Sequence, residues 1–184
     1  MDEIARKRLE RKLREKLSPQ EVTGNLLWAS LFLVAYELLK IDILEKTRGF
    51  FLEGFDETGM KYSSRYATDV VALDHDRFRA SCLWLARMGA LTDADVDVAQ
   101  RIRDHRHTVA HDLPRLLIDP ETKIDFQLFF EAHRLLTALG RFWGRIEVDV
   151  NPDFDGQEVK DEDIKSGPML LMEHILAILG RHDT

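Results

Sequence analysis

The sequence predicts an all-α protein, a helical bundle of about five to six helices with no sheet. Three observations lead there. Apolar residues recur at three- and four-residue intervals over most of the chain, helix start and stop signals fall at the ends of those stretches, and no segment alternates apolar and polar residues as a half-buried strand does. With 184 residues, 45% hydrophobic and 32% charged, the chain is long enough to bury one core, so a single domain over 1–184 is expected. Within it, 1–17 reads as a charged N-terminal helix, 18–148 as the helical core, and 149–184 as an acidic loop and closing helix.

Residues 2–17 are strong helix formers and set Ile4, Leu9, Leu13 and Leu17 on a thin apolar stripe. Seven basic and four acidic residues make it a solvated face or a dimer arm. Ser18-Pro19-Gln20-Glu21 reads as a capping box that starts a long apolar helix reaching about Lys46. Gly49, Gly54 and Gly59 among Phe50, Phe51 and Phe55 then predict an ordered loop from Thr47 to Met60. A helix is expected over Asp74–Met88, with Phe78, Leu83, Trp84 and Leu85 apolar and Gly89 as its stop. Thr92 and Asp93 cap the next, from about Asp93 to at least Ala110, whose inner face takes Val96, Ala99, Ile102 and Val109. After the turn Asp119-Pro120-Glu121, a helix runs from Asp125 to about Ile146. An exposed acidic loop is expected over Glu147–Lys160, and a last helix from about Asp161 or Ser166 to Leu179.

The net charge of -7 argues against a protein that coats nucleic acid through many phosphate contacts, although local basic patches remain compatible with it. The single cysteine, Cys82, leaves no internal disulfide framework and too few thiolates for a cysteine-based zinc site, which fits a reducing, cytoplasmic setting. Beside Leu83 and Trp84 it reads as a core residue rather than a nucleophile. Met1–Lys16 has no apolar core and is not read as a secretory signal. The most apolar run, Val22–Tyr36, falls short of the ~18 uninterrupted residues of a membrane span, so no membrane role is expected.

Within this acidic chain, Arg101–Arg115 is a cationic island. It holds three of the seven histidines and four arginines against two acids. Arginine brings a permanent charge and a planar fork of donors suited to phosphate, and histidine exchanges a proton near neutral pH. Together they supply what RNA cleavage without a metal requires: a base for the 2′-hydroxyl, an acid for the leaving oxygen and a cation for the charge that develops between them.

The stretch Arg106-His107-Thr108-Val109-Ala110-His111 resembles the Arg-x4-His motif of the HEPN superfamily, small helical-bundle domains in which the residue after the arginine is commonly Asn, Asp or His. The resemblance covers the motif and the general helical pattern. It implies an all-α fold, usually dimeric, and a metal-independent ribonuclease of the kind found in toxin–antitoxin and phage-defence systems, acting on RNA with an antitoxin or defence protein as partner. Arg106 and His111 would be catalytic and His107 an auxiliary polar residue, and no cofactor or metal is implied. Leu113 stands where members regulated by an adenylylating antitoxin carry Tyr, so that form of regulation is not expected.

Helical geometry refines the picture. Positions five apart diverge by ~140°, so Arg106 and His111 do not share a face of a straight helix, whereas Arg103, His107 and His111 do. Arg103 and His107 are therefore supporting residues. Pro114, lacking an N–H for Ala110 and clashing with its carbonyl, is expected to kink or end the helix just after His111, and such a kink would let Arg106 and His111 meet one phosphate. The plainer reading of the island is a set of favourable partners for the helix dipole and solvent, in a non-catalytic module that binds a protein or a nucleotide. Metal chelation by His107, His111 and Asp112 has the four-residue spacing in its favour, but no Glu lies between the histidines as in the zinc-protease helix and no third ligand is evident, so no metal is expected. His75, His133, His174 and His182 are isolated and read as surface or satisfied histidines.

Overall fold

The computed structural model describes the backbone of residues 3–182 and the side chains of 3–177. Eight α-helices occupy most of it: α1 (Glu3–Lys16), α2 (Pro19–Lys40), α3 (Lys46–Phe50), α4 (Arg77–Arg87), α5 (Asp93–His111), α6 (Leu113–Ile118), α7 (Phe126–Val150) and α8 (Gly167–His182). The side chain of His182 lies outside the described residues, as do Met1 and Asp2 at the start of the expected first helix.

The core is the seam between α2, α5 and α7, which pack against one another. Phe32 and Leu39 from α2, Ile102 from α5, and Phe129, Leu135, Leu136 and Leu139 from α7 are all but inaccessible to solvent. Burial on this scale, at ~1.5–3 kcal/mol per large apolar side chain, is the main force that offsets chain entropy. Trp28 meets Phe126 and Phe129 at one end of the seam, and Trp84 stacks on Trp143 at 6.3 Å at the other. Helix α4 covers α5, and α8 lies on α7 and touches α2. Helix α1 buries no residue and is pinned through Lys12 to Glu121 and through Lys16 to the Thr122 carbonyl.

Local chemistry sets the helix ends. Thr92 and Asp95 form a reciprocal capping box at the start of α5, Asp76 accepts from the Arg79 N–H at the start of α4, and Asp125 accepts from Gln127 and Leu128 at the start of α7. Each such cap contributes ~1 kcal/mol. At Ser18 one half of the expected box forms, the Glu21 N–H donating to Ser18 Oγ. Gly89 ends α4 with φ of +79°, a conformation that a Cβ disfavours.

Two expectations need correcting. The chain does not loop at Thr47: α2 passes through a π-helical turn, Ile41–Glu45, directly into α3, so Gly49 is helical. After α3 comes a two-stranded antiparallel hairpin, β1 (Leu52–Asp56) and β2 (Gly59–Tyr62), where the sequence predicts no sheet. The hairpin escapes the alternation test because both of its faces are largely exposed, so nothing selects an apolar side. Its turn is locally specified: Asp56 Oδ1 accepts from the N–H and hydroxyl of Thr58, and Gly59 adopts φ of +115°. A smaller difference concerns the acidic loop, which begins at Asn151, since α7 carries on to Val150.

Candidate functional site: the C-terminal half of helix α5

Helix α5 is a continuous α-helix from Asp93 to His111, and its inner face is the predicted one, with Val96, Ala99, Ile102 and Val109 buried. It stops where the proline requires. Asp112 takes φ of -109° and ψ of 23°, and α6 starts at once with Pro114 in its first turn. The break lies beyond both Arg106 and His111, so it leaves their relative direction unchanged. The kink therefore does not bring the two side chains together, and among the described residues no hydrogen bond or ring contact joins them.

Arg106 points inward, to α2. Its Nη2 donates to Glu37 Oε1 at 3.1 Å, and its guanidinium lies 5.3 Å from the Tyr36 ring centroid. Nε of Arg106 is buried without an acceptor, and the Glu37 bond is the one hydrogen bond its side chain makes among the described residues. Burial pushes the Glu37 carboxyl up, but hydrogen bonds and charge from Lys40 and Arg106 outweigh that and hold it below the ordinary value.

Arg103, one turn earlier, turns to α4. Nη1 donates to Asp76 Oδ1 at 2.7 Å and the guanidinium sits 5.6 Å from the Phe78 ring centroid. The Arg103 bond is the main reason the Asp76 carboxyl is held low, and it raises Arg103 in turn. Tyr36 and Phe78 lie 6.2 Å apart, so the two arginines and two rings form one ladder across α2, α5 and α4. Burial pushes the Tyr36 hydroxyl above its usual value despite the nearby cations.

His107 and His111 occupy the flank of α5 that faces solvent. Their ring centroids are 4.3 Å apart with planes at 49°, the product of a four-residue spacing on one helix face. Neither imidazole makes a hydrogen bond or ion pair among the described residues. His105 is of another kind: its Nε2 accepts the Asp125 N–H at 3.0 Å, its ring meets the Phe32 ring edge-on, and burial lowers its pKa. It is a packing residue that ties α5 to the start of α7.

The structure thus groups His107 with His111, and Arg103 with Arg106, rather than Arg106 with His111. Glu37, Tyr36, Asp76 and Phe78 carry no mark of a site in the sequence. Glu37 stands out there only as the acid that closes the apolar run of α2, and nothing local ties it to a residue 69 positions away. Cys82 is fully buried and its thiol is pushed up to about 12, as a core cysteine. No group of three or more potential metal ligands forms among the described residues, and no described helix is long and apolar enough to cross a membrane. Comparison with family models, with curated proteins and with solved structures returns no match for this chain.

Proposed function

We propose that the chain is a metal-independent endoribonuclease of the HEPN type, acting in the cytoplasm in a toxin or phage-defence setting. The observation that supports this best is the solvent-facing pair His107–His111, two imidazoles 4.3 Å apart on a helix whose preceding turns carry Arg103 and Arg106. His111 takes the proton of the 2′-hydroxyl as that oxygen attacks phosphorus. The bond to the 5′-oxygen breaks, that oxygen leaves with a proton, and a 2′,3′-cyclic phosphate remains. His107 stands beside His111 to share the proton transfer. Arg106 stabilises the phosphate by exchanging Glu37 for a substrate oxygen, for which its remaining donors are suited.

A homodimer belongs to this reading. Along α2 and the turn that follows it, Leu27, Val34 and Ile41 recur at intervals of seven and are each about 40% exposed, an apolar stripe that suits helix pairing. Glu37 lies on the same stretch, so a second copy docked there adjoins Arg106 and supplies what one chain does not align. Light scattering that finds only monomer at micromolar concentration removes this part.

The test is cleavage of total RNA by purified protein in EDTA. His111→Ala is expected to lower the rate by ~10²–10⁴-fold while sparing RNA binding, and Arg106→Ala to weaken both. The second reading, a non-catalytic module that binds a partner protein or nucleotide, is favoured by the closed Arg106–Glu37 pair. It stands if the wild-type protein leaves RNA intact, or if both folded variants cleave at the wild-type rate.

A further inference from the structure

We infer that His107 and His111 form a two-armed clip for a divalent transition-metal ion. Three features carry this. The residues are four apart on one face of an uninterrupted α-helix, the spacing at which two side chains converge on one point. Their ring centroids already lie 4.3 Å apart. Two imidazoles bound side by side to one ion at ~2.0–2.1 Å place their centroids roughly 4.5–5 Å apart, a spacing close to the one the two rings already hold. Finally, both rings are exposed and uncommitted among the described residues, so no existing hydrogen bond must be given up.

Neutral imidazole is a borderline donor that suits zinc, nickel and copper over magnesium or calcium. With no third protein ligand at hand among the described residues, the remaining positions fall to water or an anion, which sets this clip apart from the closed four-ligand sites that hold structural zinc. Protons compete for the same lone pairs, so binding weakens as the medium becomes acidic. On the ribonuclease reading above, and only on it, an ion here engages both proton carriers and stops cleavage. The clip itself is independent of that reading.

Zinc titration of the full chain at pH 7.5, followed by calorimetry and by NMR of the imidazole resonances, tests the inference. One ion per chain is expected, with the His107 and His111 signals moving together, and with affinity falling at pH 5.5. His107→Ala and His111→Ala, each checked for native circular dichroism, are each expected to lose about 10–100-fold in affinity, a range that removal of even outer partners reaches at metal sites. If the two imidazole signals stay in place as zinc is added to the wild type, or if either variant binds zinc as tightly, the clip is refuted. Because this readout needs no RNA, a failure of cleavage and a failure of the clip are separately visible.

Discussion

Arg106 is closed onto Glu37 across 3.1 Å, with Tyr36 beneath the guanidinium, and this pair holds the motif arginine of α5 against α2. The side chains keep 33% and 44% of their exposure, so solvent screens the pair and it contributes less than ~1 kcal/mol to stability. Glu37→Gln is therefore expected to leave the melting temperature nearly unchanged. It should strengthen binding of single-stranded RNA at low salt by about 2- to 10-fold, since Arg106 no longer has a carboxylate to leave. Fluorescence anisotropy measures this. A gain that survives when Arg106→Ala is added would show that the guanidinium is not the group released.

His105 gives the fold a pH dependence that begins near neutrality. Its Nε2 must stay unprotonated to accept the Asp125 N–H, and burial depresses its pKa. Unfolded, the imidazole titrates near ~6.5, so the unfolded chain takes up a proton first as pH falls. Stability is complete above that value and declines as pH drops toward the depressed folded value. Thermal melts from pH 7.5 to 5 are expected to show this slope, and His105→Gln, which accepts the same N–H without ionising, to flatten it. Asp76 and Glu37, both held low, contribute at more acid pH, whereas the buried Asp42, whose carboxyl burial pushes up, contributes with the opposite sign, so the loss of slope in His105→Gln isolates the imidazole.

Cys82 is sealed in the core with its thiol pushed up to about 12. Reaction with a chromogenic disulfide at pH 8 is expected to be negligible in the folded protein and to reach one thiol per chain in guanidinium. Rapid labelling under native conditions would contradict the packing described.

Two glycines of α7 differ in what they tolerate. A Cβ at Gly144 would come into hard contact with Ile164 Cγ2 alone, whereas a Cβ at the buried Gly140 would meet both the Met169 thioether and Ser166 Oγ, which caps α8. Gly144→Ala is expected to cost ~1–3 kcal/mol by overpacking, net of the better helix propensity of alanine. Gly140→Ala, at the more crowded position, should cost at least as much. Denaturant titration of both variants checks the order.

Much of the helical frame can be read from residues alone, because periodicity and caps are local. The four residues predicted for the inner face of α5 are all buried, and Thr92 caps it. The stop after His111 comes from the Pro114 ring, and the divergence of Arg106 from His111 comes from the helical repeat. The long-range pairings are hidden. The choice of Arg106 for Glu37 and of Arg103 for Asp76 depends on which helices become neighbours, and neither acid carries a local mark of that choice. The hairpin is hidden for the opposite reason: its strands are short and exposed, so its specification rests on one Asp–Thr–Gly turn rather than on any buried pattern.

The π-helical turn at Ile41–Glu45 makes chain length itself a constraint. One additional residue within a helical turn rotates everything after it by ~100° relative to an unbroken α-helix. Here it sets the phase that carries Phe50 and Phe51 onto Trp84 while Leu39 and Ile43 remain in the core. Deleting a single residue between 41 and 45 restores ordinary winding and leaves α3 in the phase it now holds, because the wide turn absorbs the extra residue, whereas inserting one more residue there would turn α3 and the root of the hairpin by ~100° toward the wrong neighbours. The exposed stretch 155–160 has no such register to keep. Insertions of one residue should therefore be tolerated there and damage folding in the π turn, where a one-residue deletion is the milder change, a contrast that an insertion and deletion scan of the gene would read out directly.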